Sequence, residues 1–179
     1  MKIQNNNWLK YIIGFTACLL VRLIPFRAPN IEPILATQMP FAKNYGKVVG
    51  FFFGFLSIVL FDIITMKVGE WTFVTAFAYG FLGLWASIYF KNKKSTSLNY
   101  VKFAVMGTIL YDIVTGLTVG PVFFNQPIIQ ALMGQIPFTL LHLAGNIAFA
   151  LLLSPLIDYA LNKKKKIHTI TKLNPKYIS

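Results

Sequence analysis

Acidic residues are scarce in this chain: five in 179 residues, against 17 lysines and arginines. Charged residues make up only 12% of the sequence, about half the ~25% of soluble domains. So basic a chain raises the question of nucleic acid. The lysines answer it, because they gather at the ends of apolar segments, as topology signals do. No nucleic-acid partner is expected, and the Lys163–Lys166 run suits anionic lipid headgroups or a solvated tail. Cysteine is limited to Cys18, which rules out an intrachain disulfide and any cysteine-ligated metal cluster. Neither a metal nor a cofactor is expected. Catalytic signatures are missing too. There is no Gly-x-Ser-x-Gly elbow and no His-Glu-x-x-His motif, and Gly46-Lys47-Val48-Val49-Gly50 lacks the Gly-Lys-Ser/Thr ending of a phosphate loop. An acid–base pair of Asp112 and His142 is conceivable, but nothing in their spacing demands it. The chain reads as a non-enzyme.

What the sequence has is apolar length. Hydrophobic residues make up 56% of it and the mean hydropathy is +0.61. That predicts an all-α polytopic membrane protein with about six transmembrane helices, the second short and irregular. The first crossing is residues 8–26, a retained helix rather than a signal peptide because no small-residue cleavage site follows it. Residues 31–42 contain Glu32, Pro33, Gln38 and Pro40. Twelve helical residues span only ~18 Å, short of a ~30 Å hydrocarbon core, so this segment is a short crossing or a re-entrant one. Further crossings are expected at 48–64, 71–90 and 100–119. The last is 137–161, with 128–136 as a lead-in that Pro137 kinks. The domain reading is one transmembrane unit, 1–162, and a basic cytoplasmic tail, 163–179.

Lysine and arginine orient the bundle. With six crossings, Lys2, Lys10, Lys43, Lys47, Lys91, Lys93, Lys94, Lys102, Lys163–Lys166, Lys172 and Lys176 fall on one side, which is fourteen of the 17. Arg22, Arg27 and Lys67 fall on the other. The richer side is cytoplasmic, so both termini are expected inside a cell membrane. A five-crossing arrangement partitions the charges equally well and differs in placing the N-terminus outside.

A short phrase occurs twice: Leu60-Phe61-Asp62-Ile63-Ile64-Thr65 and Leu110-Tyr111-Asp112-Ile113-Val114-Thr115. With three aspartates in the chain, a matched pair at the ends of apolar runs predicts two similarly oriented helices whose acids reach one membrane face. Acids there are functional candidates by default, although interfacial helix ends also fit. The same outward side collects Asn30, Glu32, Trp71, Asn125 and Gln126. The last crossing adds Gln135, His142 and Asn146 at deeper levels, the final two sharing a helix face. Asn30, Glu32, Asp62, Trp71, Asp112, Asn125, Gln126, Gln135, His142 and Asn146 are therefore the candidate substrate-binding residues, with Tyr79 and phenylalanines as walls. Interhelical hydrogen bonding explains such polar residues equally well one at a time. Gly50-x3-Gly54 and Gly80-x2-Gly83 read as helix-packing stripes. Gly14-x3-Cys18 reads as a stripe that packs inside or docks a partner.

Several of these features together resemble the substrate-binding S components of energy-coupling factor (ECF) transporters. They are the Pro29-Asn30-x-x-Pro33 stretch, the glycine-rich third helix running to Asp62, the Gly69-x-Trp71 start of the fourth, the basic loop before the fifth and the long sixth. The resemblance implies a six-helix membrane subunit that captures a vitamin-like solute from outside for an ATP-driven importer. Its implied partners are a transmembrane T component and two cytoplasmic ATPases, with Gly14 and Cys18 as the nearest match to the T-docking stripe. The alternatives are a noncatalytic membrane scaffold or assembly protein, and a stand-alone secondary transporter driven through Asp62 and Asp112. The surplus of outward acids leans towards a cationic or neutral solute.

Overall fold

A computed structural model describes residues 5–25 and 31–173, with side chains described for 8–25 and 31–162. Six α-helices follow one another: α1 (Asn5–Leu23), α2 (Ile34–Tyr45), α3 (Lys47–Ile64), α4 (Glu70–Tyr89), α5 (Ser97–Gly116) and α6 (Ile128–Leu173). A single π-turn, Val119–Phe123, separates the last two. No strand occurs among the described residues. The architecture is the all-α bundle expected from the apolar runs, with the short second helix in place.

That second helix is the hub. α2 touches all five other helices, and every residue from Ile34 to Ala42 is buried. A helix enclosed on all sides must be apolar all round and need not match the bilayer thickness, because its neighbours supply the span. Gln38, near its middle, is polar and fully buried. The Gln38 amide donates to Gly50 O (2.9 Å) and Tyr79 O (2.8 Å), tying α3 to α4. Pro40 cannot donate to the carbonyl four residues back. Ser154 on α6 donates to that carbonyl, Ala36 O, at 2.7 Å instead.

α3 and α4 pack most intimately, as the two glycine stripes predicted. A Cβ on Gly50 would lie 2.7 Å from Gly83 O, and one on Gly54 would lie 2.6 Å from Tyr79 O. Small residues let the backbones touch. Gly14 serves the inside as well: a Cβ there would strike the Phe41 ring of α2, and Cys18 is buried in the core. In this structure the Gly14–Cys18 stripe faces the inside of the bundle. The side chain that needs the space is Phe41, stacked on Phe53 with Tyr11 edge-on.

Outward-facing positions carry large apolar side chains, among them Phe52, Phe73, Phe81, Leu140 and Leu152. In water such a surface would aggregate, whereas hydrocarbon accepts it. Four helical stretches are long and apolar enough to cross: 47–64, 70–89, 97–123 and 128–162. The protein is membrane-embedded. Its helices alternate end to end, and Lys10 Nζ donates to Ala160 O and Leu161 O at 3.0 and 2.8 Å. The start of α1 therefore meets the later part of α6.

α6 departs from expectation at both ends. It begins at Ile128 and runs unbroken through Pro137 and Pro155, so the lead-in and the last crossing are one helix. It also crosses the expected 162/163 boundary and continues to Leu173. No glycine or proline occurs between Pro155 and Pro175, and lysine is a good helix former.

Candidate functional site

α3 and α5 end at the same pole of the bundle, as their repeated phrase implied, and the repeat has a local logic. Thr65 Oγ1 donates to Phe61 O (2.8 Å) and Thr115 Oγ1 to Tyr111 O (2.9 Å), so each phrase closes its helix with the same hydroxyl bond. Each aspartate is then taken up by a residue of the following helix. Thr72 Oγ1, in the first turn of α4, donates to Asp62 Oδ2 at 2.6 Å. The same oxygen accepts from Gly69 N–H at 3.1 Å. Asp62 thus sits against the positive end of α4, a favourable place for an acid. Asp112 is held by His142 on α6, with Oδ1 and Nδ1 2.7 Å apart.

A cavity of about 170 Å³ opens between these elements. α1 contributes Arg22 and the segment before α2 contributes Glu32. Ile58 and Asp62 come from α3, Trp71, Thr75 and Tyr79 from α4, Tyr111 from α5, and Phe138 and His142 from α6. Arg22 is buried, with Nη1 donating to Ser57 O, Nε 3.4 Å from Glu32 Oε2, and the guanidinium 4.0 Å above the Phe61 ring. Nη2 also donates to Glu32 Oε1 at 3.5 Å, a long contact, so both carboxylate oxygens face the guanidinium. It offsets Glu32, leaving Asp62 as the surplus acid of the wall.

His142 forms the polar base. Asp112, 1% exposed, stands 2.7 Å from Nδ1; in the neutral tautomer that donates Nδ1–H to it, Nε2 is an acceptor. The Tyr79 hydroxyl stands 3.4 Å from Nε2, a loose contact that a ligand donor can replace. Tyr111 and Phe138 meet the imidazole edge to face at 5.7 and 5.8 Å, and Tyr79 lies 4.4 Å from Tyr111 between ring centroids. Trp71 stands at the rim, 37% exposed, its ring 6.0 Å from Phe124.

Of the sequence candidates, Glu32, Asp62, Trp71 and His142 line this cavity. Asp112 stands directly behind His142. Asn146, 1% exposed, donates to Thr108 Oγ1 at 2.8 Å and braces α5 against α6 away from the cavity wall. Gln135 donates to Thr139 Oγ1 at 3.2 Å and lies against Gly116, outside the lining. Asn125 and Gln126 are exposed on the turn before α6 and do not reach the cavity. Those four stand apart from the cavity wall in this structure. Asn30 lies outside the described residues. Sequence reasoning undervalued Arg22, Ile58, Thr75, Tyr111 and Phe138. Arg22 was legible as the one cation inside an apolar run near its outward end, whereas nothing separated Phe138 from the many other phenylalanines.

An aromatic-walled, polar-based cavity at one pole of a membrane bundle is a candidate solute-binding site. Comparison supplies the class. The family model for the ECF-type riboflavin transporter, S component, matches residues 11–153, and the chain belongs to that family. Members are substrate-specific membrane subunits for vitamin uptake. No curated protein and no solved structure matches the chain.

Proposed function

We propose that the cavity is the vitamin site, that it opens to the outside, and that the protein delivers a riboflavin-type solute to an ATP-driven module. That module comprises a transmembrane T component and two ATPases. The family match supports the class. The observation carrying the site assignment is the aromatic slot of Tyr79, Tyr111, Phe138 and Trp71 around the His142 acceptor. A flavin is a flat ring system, apolar at its dimethylbenzene end, with an imide N–H between two carbonyls at the other end and a hydroxylated chain on the central ring. The slot suits the ring, His142 Nε2 suits the N–H, and Asp62, Glu32 and Arg22 suit the hydroxyls. The cavity's 170 Å³ is below the ~300–1,000 Å³ of pockets that enclose drug-sized ligands. Enclosing a flavin there requires the cavity to widen at its rim, where Trp71 is 37% exposed. The lysine bias supports the outward placement of this pole.

Riboflavin titrated into the purified, detergent-solubilised protein should lose its fluorescence saturably at one ligand per chain. Tryptophan emission should change in parallel, and His142→Ala should abolish both signals while the protein stays folded. Absence of saturable binding by the wild type would refute the assignment.

A further inference from the structure

α4 opens on a residue that its own position does not favour. The N-cap is Gly69, where asparagine, aspartate or serine would cap the first turn better. No backbone strain calls for glycine there: at φ −154° and ψ −174° the chain is extended, a conformation open to any residue. Glycine also loses more conformational freedom on folding than any other residue. The reason lies two residues on. A Cβ on Gly69 would stand 2.5, 2.6 and 2.7 Å from three carbons of the six-membered ring of Trp71. Ordinary carbon–carbon contact is ~3.5–4.0 Å. The indole occupies the space that a side chain at 69 would take.

The backbone beneath the ring is pinned. Gly69 N–H donates to Thr72 Oγ1 (3.1 Å), and Thr72 N–H donates to Gly69 O (3.0 Å). Thr72, 2% exposed, donates in turn to Asp62 Oδ2 at 2.6 Å. Residue 69 is thus tied through Thr72 to a carboxylate of the cavity wall and cannot back away from a collision. The indole can move, because the colliding carbons are the far end of a side chain with two torsions. That side chain lines the cavity and is 37% exposed at its rim.

From this we infer that Gly69 is a positioning residue of the binding site: its missing side chain is the seat that holds the Trp71 indole at the rim. Even a methyl group at 69 displaces the ring by about 1 Å, and the aromatic slot loses its outer wall. The effect on binding rests on the vitamin-site reading above, whereas the seat itself rests only on the packing of residues 69–72.

The test uses the full chain in detergent, with riboflavin as the probe and Gly69→Ala, Trp71→Ala and the double variant in parallel. Gly69→Ala should bind riboflavin about 5- to 150-fold more weakly, the range for losing one aromatic stacking platform. In the Trp71→Ala background the same change should cost nothing, because no ring remains to collide with. A capping or backbone role for Gly69 would cost the same in both backgrounds. In a Trp8→Phe/Trp85→Phe background Trp71 is the sole tryptophan. There Gly69→Ala should move its emission to longer wavelength and open it to acrylamide quenching. Unchanged or tightened riboflavin binding by Gly69→Ala overturns the inference, and so does an equal loss with and without the Trp71 ring. If Gly69→Ala alone does not fold, the double variant decides. Folding restored by Trp71→Ala supports the seat, and a double variant that also fails to fold overturns it. A wild type that binds no riboflavin removes the vitamin reading but not the seat. Trp71 emission then decides: a shift in Gly69→Ala supports the seat, and unchanged emission overturns it.

Discussion

Removing the Asp112 carboxylate tests whether the second pair of the repeat aims a ligand-binding group. Asp112 Oδ1 and His142 Nδ1 are 2.7 Å apart with side chains 1% and 5% exposed. Both groups are buried, and the imidazole's direction depends on this bond. Hydrogen bonds to charged groups contribute ~1.5–3 kcal/mol, and neutral ones ~0.5–1.5 kcal/mol. Asp112→Leu removes the whole bond and frees the ring to turn Nε2 away from the cavity. If all of that loss falls on binding, riboflavin affinity drops by about 10- to 150-fold. Asp112→Asn still accepts from Nδ1–H through its carbonyl oxygen. It forfeits only the difference of about 1 kcal/mol, or roughly fivefold. Flavin fluorescence quenching on both purified variants reads these losses, and a thermal melt in the same detergent confirms that each is folded. An Asp112→Leu protein that melts and binds like wild type would refute the argument. Asp112 would then be a helix-end device with no part in orienting His142.

Two further outcomes follow from the packing and the charge pattern. Gly14→Leu should drive a side chain into the Phe41 ring, where a Cβ alone already collides. A destabilisation of ~1–3 kcal/mol is expected for such overpacking, seen as a lowered melting temperature with riboflavin binding lost in proportion; a variant as stable as wild type would show that α1 does not pack this way. Reporters fused at the C-terminus, at the N-terminus and within the Lys91–Lys94 loop should all read cytoplasmic. An external N-terminus with a cytoplasmic C-terminus would contradict the meeting of Lys10 with the later part of α6.

Much of this protein is written directly in its chain, because a bilayer imposes simple rules. Apolar length sets the helices, and most of the observed bounds fall within a few residues of those expected. Lysine placement orients them, and the glycine stripes at Gly50–Gly54 and Gly80–Gly83 mark where two backbones touch. The repeated Asp62 and Asp112 phrases told that two helices end at one pole. Three-dimensional packing decided the rest. It placed the short α2 at the centre, since a twelve-residue helix is tolerable only when others shield it. It made Asp62 part of the cavity wall and Asp112 the support behind His142, although their local sequences are nearly alike. It turned Gly14 and Cys18 inward, because Phe41 needed room, and turned Asn146 to Thr108, because α5 and α6 needed a brace. Periodicity records how far a residue lies along its own helix. Which neighbour faces it depends on the relative rotation of two helices, and that angle is set only when all the side chains are packed together.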